Sequence, residues 1–328
     1  MLTRRLGAAG PAVSAIGLGA MGMSDFYGPA DEAESVATIH AALDAGVTLI
    51  DTGDFYGMGH NELLIRDALK GRRRENAILS VKYGAQRDPA GNWLGFASDP
   101  AATKTALAYT LKRLGTDYVD IYRPARVSAA PIEETVGAIA DLVKAGYVRH
   151  IGLSEAGAAN IRRAHAVHPI VDLQIEYSIM SRGVEREILP TLRELGIGMT
   201  AYGVLSRGLI SDSALAGGSM GGFRSHSPRF QGENLDRNLG LVRALKAVAD
   251  EKGATVAQLA IAWVASRGDD IVPLVGARKR ERLAEALQAV QVVLSAEDIA
   301  RIEAAAAPEA VAGGRYPEAQ MAMLDSER

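Results

Sequence analysis

Polar side chains that could do chemistry stand at or just after the ends of short apolar runs. Asp51 ends the run VTLID and Lys82 ends AILSVK, while Tyr56 follows Asp51 by five residues. A lysine at the end of an apolar strand is desolvated, which lowers its pKa. An adjacent ammonium favours the phenolate and makes a tyrosine a better proton donor. These three residues are therefore predicted to form a general acid for carbonyl reduction, with a purely structural Lys82–Asp51 ion pair as the alternative.

A basic cluster follows the last apolar run, DIVPLVG. Arg278, Lys279, Arg280 and Arg282 stand at the beginning of a predicted helix, where free backbone N–H groups and the helix dipole already favour an anion. An adenosine phosphate is the predicted ligand. A solvated basic face is the alternative interpretation.

The elements that must position these side chains alternate along the chain. Strand-like runs cover 47–51, 77–82, 118–122, 148–154, 170–177, 197–203 and 270–276, and helical periodicity covers 31–46, 57–70, 99–115, 132–146, 157–167, 183–196, 236–253, 255–267 and 278–289. A strand followed by a helix, repeated about eight times, indicates a parallel sheet covered by helices. The even repeat and the absence of G-x-G-x-x-G after the first strand favour an α/β (β/α)8 TIM barrel over an open sheet. We expect one domain spanning 1–328.

Four segments fall outside this repeat. The opening stretch 3–19 predicts a β-hairpin that plugs the barrel floor, and 296–308 predicts an additional C-terminal helix before a polar end that lies over the barrel. The stretches 85–98 and 206–235 are predicted to be long loops. Loops of that length in a compact domain are usually functional.

Composition excludes several classes of function. The chain has 328 residues, a net charge of −3 and no cysteine, which argues against a nucleic-acid partner and excludes disulfides and thiolate chemistry. No stretch approaches 18 uncharged apolar residues, so a membrane span is not expected and a cytoplasmic protein is. The six histidines show no metal-binding spacing, so no metal is expected. The oligomeric state stays open.

Several motifs in the same order along nearly the whole chain resemble those of the aldo-keto reductase family, in particular the branch with pyridoxal-type and general ketone or aldehyde reductases. The matching stretches are IGLGAMGMSDFYG (16–28), AGVTLIDTGDFYGMGHNELLIRDAL (45–69), ILSVKYG (78–84), LKRLGTDYVDIY (111–122), PIEETVGAIADLVKAGYVRHIGLSEA (131–156), DLQIEYSIMSR (172–182), AYGVLSRGLI (201–210) and IVPLVGARKRERLAEAL (271–287). The resemblance implies a (β/α)8 barrel that binds NADPH across the strand ends. It also implies reduction of aldehydes and ketones by hydride transfer, with a tyrosine as the proton donor.

The resemblance assigns roles residue by residue. The catalytic positions fall on Asp51, Tyr56 and Lys82. The positions implied for NADPH are Gly19, Ala20, Met21, Asp51, Ser154, Glu155, Gln174, Tyr202, Gly203, Leu205, Ser206, Arg207, Gly208, Gly276, Arg278, Lys279, Arg282 and Glu285. Among these, Ser154, Glu155 and Gln174 match the carboxamide contacts, Tyr202 matches the ring under the nicotinamide, and the last five match the 2′-phosphate region.

Substrate contacts are expected from their placement in the chain. The candidates are Phe26, Tyr27, Phe55, Trp93, Phe96 and Arg126. Pockets for small molecules are usually lined by apolar and aromatic side chains. The alternative is that these aromatic rings only hold their own loops in place.

One departure from the family concerns its fourth catalytic position, where a histidine is usual. The chain reads DIYRPARVSAAP, so that position falls on Ala125. Loss of one preorganised donor lowers a rate by about 10²–10³, unless Arg123, Arg126 or a water replaces it. We expect an active enzyme whose emptier pocket admits a bulkier ketone. The alternatives are a cofactor-binding regulatory or sensor protein of the same fold and a Schiff-base aldolase that uses Lys82.

Overall fold

The strands of the computed structural model form one closed barrel and two short hairpins. The structure describes residues 1–24, 26–72, 74–218 and 222–328, without the side chain of Phe223. In chain order the strands are β1 (Thr3–Arg5), β2 (Ala12–Ser14), β3 (Gly17–Gly19), β4 (Leu49–Gly53), β5 (Ile78–Tyr83), β6 (Ala85–Arg87), β7 (Trp93–Phe96), β8 (Val119–Pro124), β9 (Val148–Ser154), β10 (Ile170–Glu176), β11 (Gly198–Tyr202) and β12 (Ile271–Gly276). The barrel has the order β3–β4–β5–β8–β9–β10–β11–β12 and closes from β12 back to β3. The predicted (β/α)8 TIM barrel is confirmed.

The helices begin and end close to the predicted positions, except for two short helices, α7 and α12, that were not predicted. They are α1 (Glu32–Asp44), α2 (His60–Leu69), α3 (Pro100–Leu114), α4 (Ile132–Lys144), α5 (Ala158–Val167), α6 (Ile188–Leu195), α7 (Asp212–Leu215), α8 (Gly232–Glu251), α9 (Val256–Ser266), α10 (Arg280–Leu287), α11 (Ala296–Ala305) and α12 (Glu318–Met321). Local signals explain these bounds. Asp99 caps α3 by accepting hydrogen bonds from the backbone N–H groups of Ala101 and Ala102, and Gly115 ends that helix with a φ of 63°.

The opening segment contributes to both the hairpin β1–β2 and the barrel. Strands β1 and β2 pair as the predicted hairpin, and Leu6 and Val13 pack against Leu49 and Val272 near the beginnings of their strands. The hairpin therefore covers the barrel floor, as expected. The assignment of the whole stretch 3–19 to the hairpin is wrong, because Gly17–Gly19 forms β3 and pairs in parallel with β12 and β4.

Both predicted long loops contain regular structure. The stretch 85–98 holds the antiparallel hairpin β6–β7. Within 206–235, the described residues include a 3-10 turn at Ser206–Gly208, helix α7 and the start of α8 at Gly232. The loop assignments are therefore wrong. Elements of three or four residues are too short to show a hydrophobic period, so the sequence gives them no periodic signal.

The C-terminal segment, residues 307–328, crosses the end of the barrel where the strands finish. Asp325 accepts hydrogen bonds from the backbone N–H of Gly157 at 2.7 Å and from Asn160 at 2.9 Å, at the start of α5. The predicted additional C-terminal helix is confirmed as α11. Within the described ranges, no helix combines the length and apolar character needed to cross a bilayer.

Candidate active site

Asp51, Tyr56 and Lys82 meet at the bottom of a large cavity. The Lys82 ammonium, at the end of β5, donates to Asp51 Oδ1 from the neighbouring strand β4. Asp51 Oδ2 accepts hydrogen bonds from Ser80 Oγ at 2.9 Å and from Gln174 Nε2 at 2.7 Å. Lys82 Nζ lies 5.1 Å from the centre of the Tyr56 ring. The structure thus brings the predicted trio together, and Asp51 is held rigidly by three donors.

Burial shifts the pKa values of Lys82 and Tyr56 in opposite directions. Burial lowers the pKa of Lys82, while the charge of Asp51 opposes that shift. Burial and then the charge of Asp51 raise the pKa of Tyr56 well above its ordinary value, and Arg126 acts in the opposite direction. Burial and Asp51 therefore outweigh the effect expected from the neighbouring ammonium, and the phenol is harder to ionise than a free tyrosine. Tyr56 keeps its proton, as a proton donor must before it reacts.

The position usually held by histidine lacks a polar side chain. Ala125 is buried and lines the cavity. Arg123 does not replace the missing donor, because it is fully buried, lies 2.7 Å from Asp172 Oδ2 and donates to Ser80 Oγ. Arg126 does line the cavity. Of the two arginines considered as replacements, only Arg126 is placed to meet a ligand.

The cavity measures about 790 Å³, and aromatic side chains form one of its walls. All six predicted substrate residues line it, namely Phe26, Tyr27, Phe55, Trp93, Phe96 and Arg126. The Phe55 and Tyr56 rings meet edge to face with centres 4.8 Å apart, and the Phe26 and Trp93 rings stack at 6.4 Å. The hairpin β6–β7 supplies Trp93 and Phe96, so a segment predicted to be a loop presents this wall on paired strands.

Most residues that the family resemblance assigns to the cofactor line the same cavity. They are Gly19, Met21, Asp51, Ser154, Gln174, Tyr202, Gly203, Leu205, Arg207, Gly208, Gly276, Arg278, Arg282 and Glu285. Ala20, Glu155, Ser206 and Lys279 do not line it. Ser154 Oγ is buried and, among the described residues, has no hydrogen-bond partner. A buried hydroxyl without a partner is costly, so this one fits a polar ligand group such as a nicotinamide carboxamide.

The basic residues at the start of α10 lie partly at the cavity and partly at the protein surface. Arg282 pairs with Glu285 at 2.9 Å, and Arg278 donates to backbone carbonyls of residues 27–29 at 2.9 to 3.2 Å. Both side chains border the cavity, whereas Arg280 forms an ion pair with Glu34 on α1. Of the predicted four-residue cluster, only Arg278 and Arg282 border the cavity.

Glu155 has partners that sequence analysis missed. Arg315, in the C-terminal segment, donates to both carboxylate oxygens at 2.9 and 2.6 Å, and Tyr202 and Ser326 donate at 2.7 Å each. Burial alone would raise the pKa of Glu155, but Arg315 outweighs it and holds the value at about 2. Glu155 therefore anchors the C-terminal segment. Tyr316, which also lines the cavity, follows Arg315 directly.

No local signal in the sequence identifies Arg315 or Tyr316. The contact between Arg315 and Glu155 joins residues 160 positions apart, and Tyr316 Oη lies 3.0 Å from Tyr202 Oη across a separation of 114 positions. In the sequence, these two residues appear only as an arginine followed by a tyrosine in the polar C-terminal stretch. Among the described residues, no group of three His, Asp or Glu side chains comes together as a metal site would need.

Comparisons with known proteins agree with this geometry. The model of the aldo/keto reductase family matches residues 15–307. Among solved structures, the chain is similar to glycerol dehydrogenase AKR11B4 from Gluconobacter oxydans, with 26% identity over 93% of this chain and 96% of that one and a TM-score of 0.84. It is also similar to the thermostable aldo-keto reductase Tm1743 in complex with the inhibitor epalrestat, with 30% identity, 93% and 100% coverage and a TM-score of 0.76.

A third similar structure is the holo form of aldo-keto reductase AKR11C1 from Bacillus halodurans. It shares 28% identity over 94% of this chain and 97% of that chain, with a TM-score of 0.79. The family match covers most of the chain, and all three structures are matched over nearly their full length. The protein is therefore a member of the aldo/keto reductase family, a family of oxidoreductases that use nicotinamide cofactors.

Proposed function

We propose that this protein is an NADPH-dependent carbonyl reductase in which Tyr56 donates the proton. The observation that carries the proposal is the placement of Tyr56, whose pKa is raised by burial, beside the buried Asp51–Lys82 pair at the bottom of an aromatic cavity. The substrate is an aldehyde or a ketone, and the same residues serve the reverse oxidation of an alcohol.

Tyr56, Lys82 and Asp51 each have a separate part in the transfer of one proton. When bound, NADPH supplies the hydride that goes to the carbonyl carbon, while the carbonyl oxygen takes the proton from Tyr56 Oη. Lys82 then stabilises the resulting phenolate, because its ammonium faces the Tyr56 ring. Asp51 keeps Lys82 in place and compensates its buried charge. A positioned general acid of this kind contributes a factor of about 10²–10⁴ to a rate.

Residues along the cavity would hold the cofactor at both ends. Ser154 Oγ and Gln174 would bind the carboxamide, and the Tyr202 ring would lie against the nicotinamide, since flat rings stack well. Arg278 and Arg282 border the same cavity at the beginning of α10. Arginine engages two phosphate oxygens at once, so we assign these two residues to the 2′-phosphate and infer a preference for NADPH over NADH.

The substitution Tyr56→Phe tests the proton donor. We expect kcat for NADPH oxidation with an aldehyde panel to fall by a factor of about 10²–10⁴, while the Kd for NADPH changes less than threefold. Tyr316→Phe is the matched control, because it removes a hydroxyl from the same cavity at a residue with no part in the proton transfer, and it should leave kcat largely intact. Unchanged turnover in Tyr56→Phe would exclude Tyr56 as the acid.

A second candidate function is a cofactor-binding regulatory or sensor protein with weak catalysis. It is favoured by one observation, the lack of a donor at Ala125. A sensor would bind NADPH and turn over negligibly with every aldehyde and ketone of the panel.

For the Schiff-base alternative, borohydride treatment with substrate should leave no adduct on Lys82 if Tyr56 and a bound nucleotide do the chemistry.

A further inference from the structure

Arg126, at the edge of the cavity, differs in its partners from the three buried arginines Arg123, Arg229 and Arg315. It is partly buried and lines the cavity just after β8, and its Nη1 donates to the carbonyl of its own neighbour, Ala125, at 2.6 Å. Its guanidinium carbon lies 5.8 Å from the centre of the Phe96 ring. Within the part of the chain that the structure describes, no carboxylate forms an ion pair with it.

Each of the three buried arginines among the described residues has a carboxylate within 4 Å. Arg123 pairs with Asp172 at 2.7 Å, Arg315 pairs with Glu155 at 2.6 Å, and Arg229 lies 3.7 Å from Glu176. Removing a cation from water without a partner is costly, and a sequence selected only for stability would replace it. A charge without an ion-pair partner, although it costs stability, is expected where a functional site needs that charge.

Burial lowers the pKa of Arg126, but Tyr316, Tyr202 and Glu155 outweigh it and raise the value. Glu155 is the carboxylate among them, yet it forms no ion pair with Arg126. Its two oxygens already accept hydrogen bonds from Arg315, Tyr202, Ser326 and a backbone N–H. Arg126 lines the cavity, and among the described residues its one hydrogen bond is the one from Nη1 to the Ala125 carbonyl. The natural complement of this guanidinium is an anionic group on the ligand.

We propose that Arg126 binds a carboxylate of the substrate, so that the preferred substrates are aromatic oxo acids, carbonyl compounds with a carboxylate on the same aromatic framework. A single guanidinium matches the single charge of a carboxylate and can hold it with two parallel hydrogen bonds. Phe96 beside it and Phe55 beside Tyr56 supply flat apolar walls between the anion and the carbonyl. The absence of a side chain beyond Cβ at Ala125 leaves room for that framework. The inference rests on the proposed reductase function.

Matched pairs of acid and ester substrates test this assignment. For 2-, 3- and 4-carboxybenzaldehyde against their methyl esters, we expect the wild type to favour at least one acid by tenfold or more in kcat/KM. Arg126→Met should lower kcat/KM for that acid about 100-fold and leave the ester within threefold, and Arg126→Lys should retain part of the preference. The matched control is Arg87→Met, which removes a cation stacked on Trp93 and should leave the acid-to-ester ratio unchanged.

Two further measurements test the role of Arg126 independently of a folding defect and of catalytic turnover. Arg126→Met should melt at the same temperature as the wild type or higher, because it removes a partly buried charge that has no ion-pair partner among the described residues. Benzoate should raise the melting temperature of the wild type more than benzamide does, and this difference should vanish in Arg126→Met.

Each remaining outcome has a defined meaning. An equal fall for acid and ester in Arg126→Met would assign Arg126 to the carbonyl oxygen, and a loss of NADPH affinity with an unchanged ratio would assign it to the cofactor; either result overturns the inference. If neither substrate is reduced but benzoate protection depends on Arg126, the reductase function fails and the carboxylate site stands.

Discussion

Asp54 sits in the turn between β4 and Tyr56, and its carboxyl group is poorly compensated. Among the described residues, its Oδ1 is buried without a hydrogen-bond partner, and Oδ2 accepts a long bond of 3.4 Å from the Gly84 N–H. Burial, and then the negative charge of the nearby Glu62, raise the pKa of Asp54 from 3.8 to about 7. The folded protein therefore favours the protonated form of Asp54.

This shift makes stability depend on pH with a definite sign. Because the pKa is raised on folding, the contribution of Asp54 is fully present below about pH 4 and is lost as the pH rises through 7. One pKa unit corresponds to about 1.4 kcal/mol, so the full span is at most about 4 kcal/mol. Between pH 5 and pH 8 the free energy of unfolding should fall by at most about 3 kcal/mol from this group.

Asp54→Asn imitates the protonated carboxyl at every pH. We expect the substitution to stabilise the protein, with a gain larger at pH 8 than at pH 5 by at most about 3 kcal/mol, measured by urea unfolding at both pH values. Asp88→Asn is the control of opposite sign, because hydrogen bonds from Asn92 hold the pKa of Asp88 below its ordinary value. A gain for Asp54→Asn that is equal at both pH values, or larger at pH 5, would refute this account.

Three other substitutions test the site. Arg282→Ala should weaken NADPH binding at least tenfold and NADH binding less than twofold in fluorescence titrations; equal losses would remove the 2′-phosphate role. Glu155→Gln leaves Arg315 with Glu327 and Glu176 as its carboxylate partners, so it should cost less than the roughly 3–5 kcal/mol for a sole buried partner and speed hydrogen exchange in residues 307–328; unchanged exchange would contradict the anchoring role. Ala125→His should raise kcat for small aldehydes and exclude bulky ketones, and faster turnover of both would show that Ala125 does not set pocket size.

Local patterns were enough to predict the barrel and the main cluster of the site. Each barrel strand except β3 carries its own apolar run, and helix α3 has its own cap at Asp99 and stop at Gly115. Asp51 and Lys82 end adjacent apolar runs, and parallel strands end on the same face of a barrel. Their meeting therefore followed from the order of the runs, without knowledge of any contact.

Tertiary structure alone decided which charges are compensated. Arg123 and Arg126 are three residues apart, yet one pairs with Asp172 on another strand and the other faces the cavity. Glu155 acquires Arg315 across 160 positions. The high pKa of Tyr56 likewise comes from burial that the closed barrel creates. Periodicity describes which face of a strand is buried, but the partner on that face is set by distant segments that only folding brings together.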